Sequence, residues 1–138
     1  MAENFRSGCP IASTLDLMGD KWSLLLIRDM LLHHKVTFKE FSASAEHIAP
    51  STLSARLKLL TSHGLVTKYK LATNQKENIY VLTDKAIALA DVIVDLSIWG
   101  NEYMGEFNRL DPIEGLDTER AVMVTTIKNR YRSAIEAL

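Results

Sequence analysis

One thiol, Cys9, stands immediately before Pro10. Where a proline opens a helix, the residue ahead of it lies at the positive end of the helix dipole, which favours an anion. Cys9 is therefore a candidate redox or electrophile sensor; the plainer reading is a helix-start residue or a buried thiol without chemistry. His33, His34, His47 and His63 are the histidines. Adjacent helical positions diverge and no His-x-x-x-His spacing occurs, so no metal site is expected. Asp16, Asp20 and Asp29 have no recognisable partner for acid–base work, and no Gly-rich phosphate loop or nucleophile motif occurs. No catalytic residue, no cofactor and no enzyme are expected.

A different chemistry is legible further along. Pro50, Ser51, Thr52, Ser54 and Ala55 are followed by Arg56 and Lys58. Small side chains and hydroxyls at the start of a helix let a backbone approach base edges, and cations beyond them can hold phosphates or reach guanine. Lys39, Lys68, Lys70 and Lys76 extend the same set. A solvated polar face is the plain alternative. The net charge of −1 counts at first against nucleic acid, but it is an average. Residues 1–85 hold eleven basic and eight acidic side chains (+3), whereas residues 86–138 hold five and nine (−4). Within 35–85 the excess is eight against four. The excess matters only if those cations converge in space.

The elements that would position them follow from periodicity and end signals. Pro10 opens a short helix with Ile11, Leu15 and Met18, ended by Gly19. Asp20 offers an N-cap to Lys21–Leu32, apolar nearly all round and so buried on most sides. Thr37 and Glu40 have capping-box spacing for a helix to about Ser44. A helix over about 50–63 places Leu53, Leu57 and Leu60 on one buried stripe, with the polar residues opposite. Leu65–Leu71 and Asn78–Leu82 read as strands around a polar hairpin loop, Ala72–Glu77. Thr83 or Asp84 caps a long helix to about Tyr103. Residues 105–117, with Gly105, Pro112 and Gly115, read as a connector. Thr118–Ala137 forms a last helix with Val124, Ile127, Tyr131 and Leu138 near one side.

Two short helices joined by a turn, the second polar-faced, then a hairpin, is the order of a winged helix-turn-helix. The expected fold is mainly α (α+β), with a two-stranded wing over about 66–82 and additional N- and C-terminal helices. Its 138 residues suit one core, and its 47% apolar fraction excludes a disordered chain. Asp91 and Asp95 interrupt the most apolar run, and Met1–Pro10 lacks the apolar stretch of a signal peptide. No membrane partner is expected, and one cysteine suits a reducing cytoplasm.

These residues resemble the HxlR-type winged-helix transcriptional regulators of bacteria and archaea. The resemblance begins at Cys9-Pro10-Ile11, runs through Leu15–Arg28 with its distinctive Gly19-Asp20-Lys21-Trp22, and resumes at Phe38–Phe41, Leu53–Leu60, Gly64–Val66 and Tyr80–Thr83. It covers about residues 9–103. It implies a homodimeric cytoplasmic regulator of double-stranded DNA, dimerised by the first helix and the long helix after the wing. Ile11, Leu15, Ile98 and Trp99 are then the expected interface residues, and some relatives sense oxidants at the position of Cys9. This chain departs from the family pattern in its wing, Asn74-Gln75-Lys76-Glu77, at Ala49 where a Ser often caps, and at Ala86 where Gly is usual.

The expected division is a DNA-binding unit with its dimerisation helices over 1–104 and a connector with a helical extension over 105–138. The expected activity is binding of a pseudo-palindromic operator. The competing expectation is a winged-helix interaction module that dimerises without reading DNA, motivated by the acidic C-terminal part. A small-molecule or oxidant effector, held between the DNA-binding unit and the long helices, is compatible with the first.

Overall fold

The apolar run after Asp20 forms the centre of the fold. In the computed structural model, which describes residues 5–108, 113 and 118–138, helix α2 (Ser23–His33) buries Leu26, Ile27, Met30 and Leu31 almost completely. Before it, α1 (Pro10–Met18) starts at its proline and ends where Gly19 donates its N–H to the Leu15 carbonyl at 2.7 Å. A Cβ at Gly19 would collide with that same carbonyl oxygen, which is why glycine stands there. Asp20 does cap α2, from further away than expected. Its Oδ2 accepts the N–H groups of Trp22 and Ser23, both at 3.0 Å, and its Oδ1 accepts the Ser23 hydroxyl at 2.6 Å. The helix therefore starts at Ser23 rather than Lys21, because the carboxylate wraps Lys21–Trp22 into a turn.

Helix α3 (Phe38–Ser42) carries the predicted capping box. Glu40 N–H donates to Thr37 Oγ1 at 3.2 Å, and Thr37 N–H donates to Glu40 Oε1 at 3.1 Å. It stops before Ser44, whose buried hydroxyl is drawn instead to Asp29 of α2. Helix α4 (Pro50–Ser62) buries the Leu53, Leu57 and Leu60 stripe. Gly64, at φ +72°, takes the left-handed conformation that turns the chain into the sheet.

Strands β1 (Val66–Leu71) and β2 (Asn74–Leu82) pair antiparallel, from Val66 opposite Leu82 to Tyr69 opposite Ile79. The expected six-residue loop is a tight Ala72–Thr73 turn, with Leu71 opposite Asn74. Between those pairs β1 supplies only Lys70 and β2 supplies Gln75–Asn78, so the extra chain is a bulge in the second strand rather than a loop at the tip. Val36, ahead of α3, accepts the N–H of Tyr80 at 2.8 Å and braces the hairpin at its base.

The single long helix expected after the wing is broken. Thr83 caps a short α5 (Asp84–Ile87), and α6 (Ala90–Tyr103) follows after a turn at Ala88–Leu89. Leu89 N–H reaches the Ala86 carbonyl at 2.9 Å, a tightened i→i+3 bond that redirects the axis. The expected connector lies largely outside the described residues, including Pro112 and Gly115. Helix α7 (Arg120–Glu136) packs on α2 and α6 through Val124, Ile127 and Tyr131. It ends before Leu138, which is half exposed rather than on the buried side. No helix among the described residues is long and apolar enough to cross a membrane.

Tyr131 joins α7 to the wing. Its buried hydroxyl accepts the backbone N–H of Leu82 at 2.8 Å, closing the base of β2 from the far end of the chain. Removing that oxygen leaves a buried N–H unpaired, which costs about 1–2 kcal/mol. Tyr131→Phe should lower the urea midpoint of unfolding accordingly with an unchanged slope; an unchanged midpoint would show that this bond contributes nothing.

Candidate nucleic-acid interface

The leucine stripe of α4 decides what its other side presents. With Leu53, Leu57 and Leu60 turned inward, Pro50, Ser51, Ser54, Ala55, Lys58 and Ser62 are exposed, and Thr52 is half-buried. Ala49 occupies the N-cap without a side-chain hydrogen bond. The first amides of this thirteen-residue helix thus lack a protein cap and are available to an anion.

The wing brings further cations to the same side. A groove of about 390 Å³ between α4 and the hairpin is lined by Ser54, Lys58, Ser62 and Lys68, over Phe38 and Tyr80. A second hollow of about 590 Å³ continues past Phe38 and Tyr80 to Asn74, Lys76 and Asn78. Tyr80 is fixed by the edge of Phe41, with ring centroids 6.1 Å apart. Lys58, Lys68 and Lys76 therefore border one continuous surface, while Lys39 on α3 and Lys70 on β1 are exposed beside it.

Arg56 is placed differently. It is half-buried, and its Nη1 lies 3.5 Å from Asp20 Oδ1, tying α4 to the turn before α2. Burial alone would raise the Asp20 pKa. The hydrogen bonds from Ser23 and Trp22, with the Arg56 charge, outweigh burial and lower it.

The most consequential side chain is one to which the sequence pattern attaches no role. Asp29, 2% exposed, is the one acid inside the apolar α2. Arg28 donates to its Oδ1 from Nε at 3.0 Å and Nη2 at 2.7 Å. Its Oδ2 accepts the Ser44 hydroxyl and lies 3.6 Å from Lys35 Nζ, which also donates to Ser44 Oγ at 2.9 Å. Arg28 then reaches across to Glu46, donating to both carboxylate oxygens at 2.9 and 2.7 Å. The segment that leads into α4 is thereby clamped to the central helix. The signal for this lay in the sequence: an acid in an otherwise apolar helical run requires a partner.

Cys9 is exposed at the N-cap of α1, its N–H donating to Ser7 Oγ at 3.2 Å. Ile11 and Leu15 on α1, and Ile98 and Trp99 on α6, are all exposed. Trp99 stacks obliquely with Tyr103, which is exposed too, at 5.3 Å. α1 and α6 thus each leave large apolar side chains in solvent.

Comparison with known proteins bears on both features. The sequence profile of the HxlR-like helix-turn-helix family matches residues 17–108. The chain is 34% identical over 91 residues to BH0655, an uncharacterised HTH-type transcriptional regulator of Halalkalibacterium halodurans, covering 66% of this chain and 80% of that one. Among solved structures it is similar to PA1607, a candidate transcription factor, with a TM-score of 0.70 and 31% identity over 83% of this chain and 80% of the other. It is also similar to the reduced form of the Bacillus subtilis transcriptional regulator YodB, with a TM-score of 0.59 and 28% identity over 74% of this chain and all of the other. YodB has been solved quinone-bound and diamide-treated as well.

The clamp has a pH signature. The hydrogen bonds from Arg28 hold the Glu46 carboxyl below its ordinary value of 4.5, against the opposing effect of burial. A carboxylate depressed in the folded state stabilises the fold above its unfolded pKa, and that contribution is lost as pH falls through the folded value. The urea midpoint should therefore fall as pH drops below about 4.5. Glu46→Gln should flatten that fall; an identical acid profile would show that the Arg28 contact is not coupled to folding.

Proposed function

The chain belongs to the HxlR-like helix-turn-helix family of transcriptional regulators, and from that premise we propose a homodimeric regulator that binds a pseudo-palindromic operator in the cytoplasm. The N-terminal half of α4 enters the major groove, with Pro50, Ser51, Thr52, Ser54 and Ala55 against base edges. Lys58 and Lys68 hold phosphates on the two sides of the α4–wing groove, and Lys39, Lys70 and Lys76 contact the backbone further out. Arg56 acts through Asp20 as a positioning residue that sets the angle of α4. The observation that carries this reading is the groove itself, in which hydroxyls and lysines from two elements border one surface.

A second copy packs on the exposed apolar side chains of α1 and α6, Ile11, Leu15, Ile98 and Trp99. Two recognition helices then lie about 34 Å apart, one turn of DNA. Duplication matters here, because each chain has little net charge with which to attract DNA. Cys9 is the position where an oxidant acts. Its exposed thiol, and the diamide-treated and quinone-bound states of YodB, support that role. When two Cys9 thiols from paired chains join as a disulfide, diamide takes up the two electrons and two protons.

The test is selection of bound duplexes from a random pool, followed by titration at several salt concentrations. Lys58→Ala and Lys68→Ala should each weaken binding several-fold and reduce the salt slope by about 0.9 for each phosphate no longer neutralised. Unchanged affinity in both would refute the face assignment, and failure to select any sequence would favour the interaction-module reading. In sedimentation, Trp99→Asp should convert the dimer to monomer and weaken operator binding. After diamide, operator affinity should change in the parent chain and stay constant in Cys9→Ser; equal responses would remove Cys9 from the mechanism.

A further inference from the structure

An apolar hollow lies away from the α4–wing groove. It is a groove of about 590 Å³ between α2, α6 and the chain that follows α6, walled by Leu24 and Leu32 from α2, Ile93 and Leu96 from α6, and Phe107 and Ile113 beyond it. Arg28 lines it, together with Ser97 and Asn101. A hollow of this size with apolar walls and a few polar groups is the common form of a small-molecule site.

Arg28 gives the groove its chemistry. A guanidinium has five N–H donors. Four are used on Asp29 and Glu46, which leaves one hydrogen on Nη1 without an acceptor among the described residues. The same arginine thus borders the apolar groove and holds Glu46, four residues before the first residue of α4. A negatively charged oxygen set among apolar walls fits this place, because it meets a cation there and leaves its hydrocarbon against leucine and isoleucine.

We infer that the α2–α6 groove binds a small organic anion with an apolar body, and that this anion competes with Glu46 for Arg28. Losing its hold on Arg28, Glu46 releases the segment that leads into α4, so an occupied groove loosens the recognition helix. By reciprocity, the DNA-bound form holds the anion more weakly. The regulatory half of this inference rests on the DNA-binding reading above; the site itself does not.

The probe is 8-anilinonaphthalene-1-sulfonate, an apolar ring system bearing one anion, followed by its fluorescence on the full chain. Saturable binding at one site per chain is expected. The uncharged N-phenyl-1-naphthylamine should bind at least several-fold more weakly. Gly100 also lines the groove, and a Cβ there meets nothing within 4 Å. Gly100→Leu should therefore fill the groove and weaken the dye at least tenfold, with no loss of urea midpoint, since leucine suits a helix better than glycine. Glu46→Gln, by removing the competitor, should tighten the dye several-fold.

Equal dye affinity in Gly100→Leu and the parent would overturn the site. Equal affinity of charged and uncharged probes, or no change in Glu46→Gln, would overturn the competition at Arg28. Loss of dye in step with dimerisation, as chain concentration rises, would instead assign the groove to a second copy and overturn the inference. The dye measurement needs no DNA. A chain that takes up the dye but selects no duplex refutes the regulator reading alone, and one that selects duplexes but ignores the dye refutes only the groove.

Discussion

A carboxylate buried in the middle of an apolar helix is the constraint around which this fold is arranged. Asp29 is shielded from water, and its charge is tolerable only because Arg28, Lys35 and Ser44 converge on it. Those partners come from the middle of α2, from just past its C-terminal end and from the chain after α3. Joined to all three, the carboxylate sets α2 against the lead-in to α4. Leucines alone would hold α4 against the core with much less control over its angle. Asp20 repeats the device on a smaller scale, capping α2 with one set of contacts while facing Arg56 of α4.

This arrangement explains why α4 tolerates a weak start. Ala49 supplies no side-chain cap, yet the helix begins cleanly at Pro50, because its entry is fixed from outside by Glu46 and by buried Ile48. An N-cap serine would consume the amides that now face outward. What is missing in local helix stability is replaced by tertiary packing, and the exposed end keeps its positive dipole. The partition of charge follows the same division of labour, with cations on the helix–wing side and the acidic excess in the later helices, where Arg120 faces Asp91 and Asp95.

Features decided within a few residues were legible in the sequence. The Thr37–Glu40 box, the Leu53–Leu57–Leu60 stripe, Pro at two helix starts and the order of elements all concern neighbours along the chain. The misplaced features depend on distant ones. Asp20 caps further from the helix than its position suggested, since it also serves Ser23 and Arg56. The break at Ala88–Leu89 leaves no proline or glycine as a mark. Arg56 looks equivalent to Lys58 in sequence, and only the approach of Asp20 separates a half-buried, ion-paired group from an exposed cation. Asp29 was visible as an anomaly, but its partners lie on both sides of a turn whose geometry no local pattern discloses.

The wing shows how far such tertiary control extends. Its base is held three ways: by Val36 to Tyr80, by Tyr131 to Leu82, and by Thr83 to the Gly64 carbonyl at 2.7 Å. Lys68 sits opposite Tyr80 within this braced region, so its backbone is held in the frame on which α4 packs. Lys76 belongs to the bulge beyond the last regular pair, where every residue from Ala72 to Glu77 is exposed. A phosphate contact from Lys76 must therefore bear the entropy of ordering the tip, which a contact from Lys68 does not. In a chain with almost no net charge, the proposed DNA contact then favours cations already aligned with α4 before any DNA arrives.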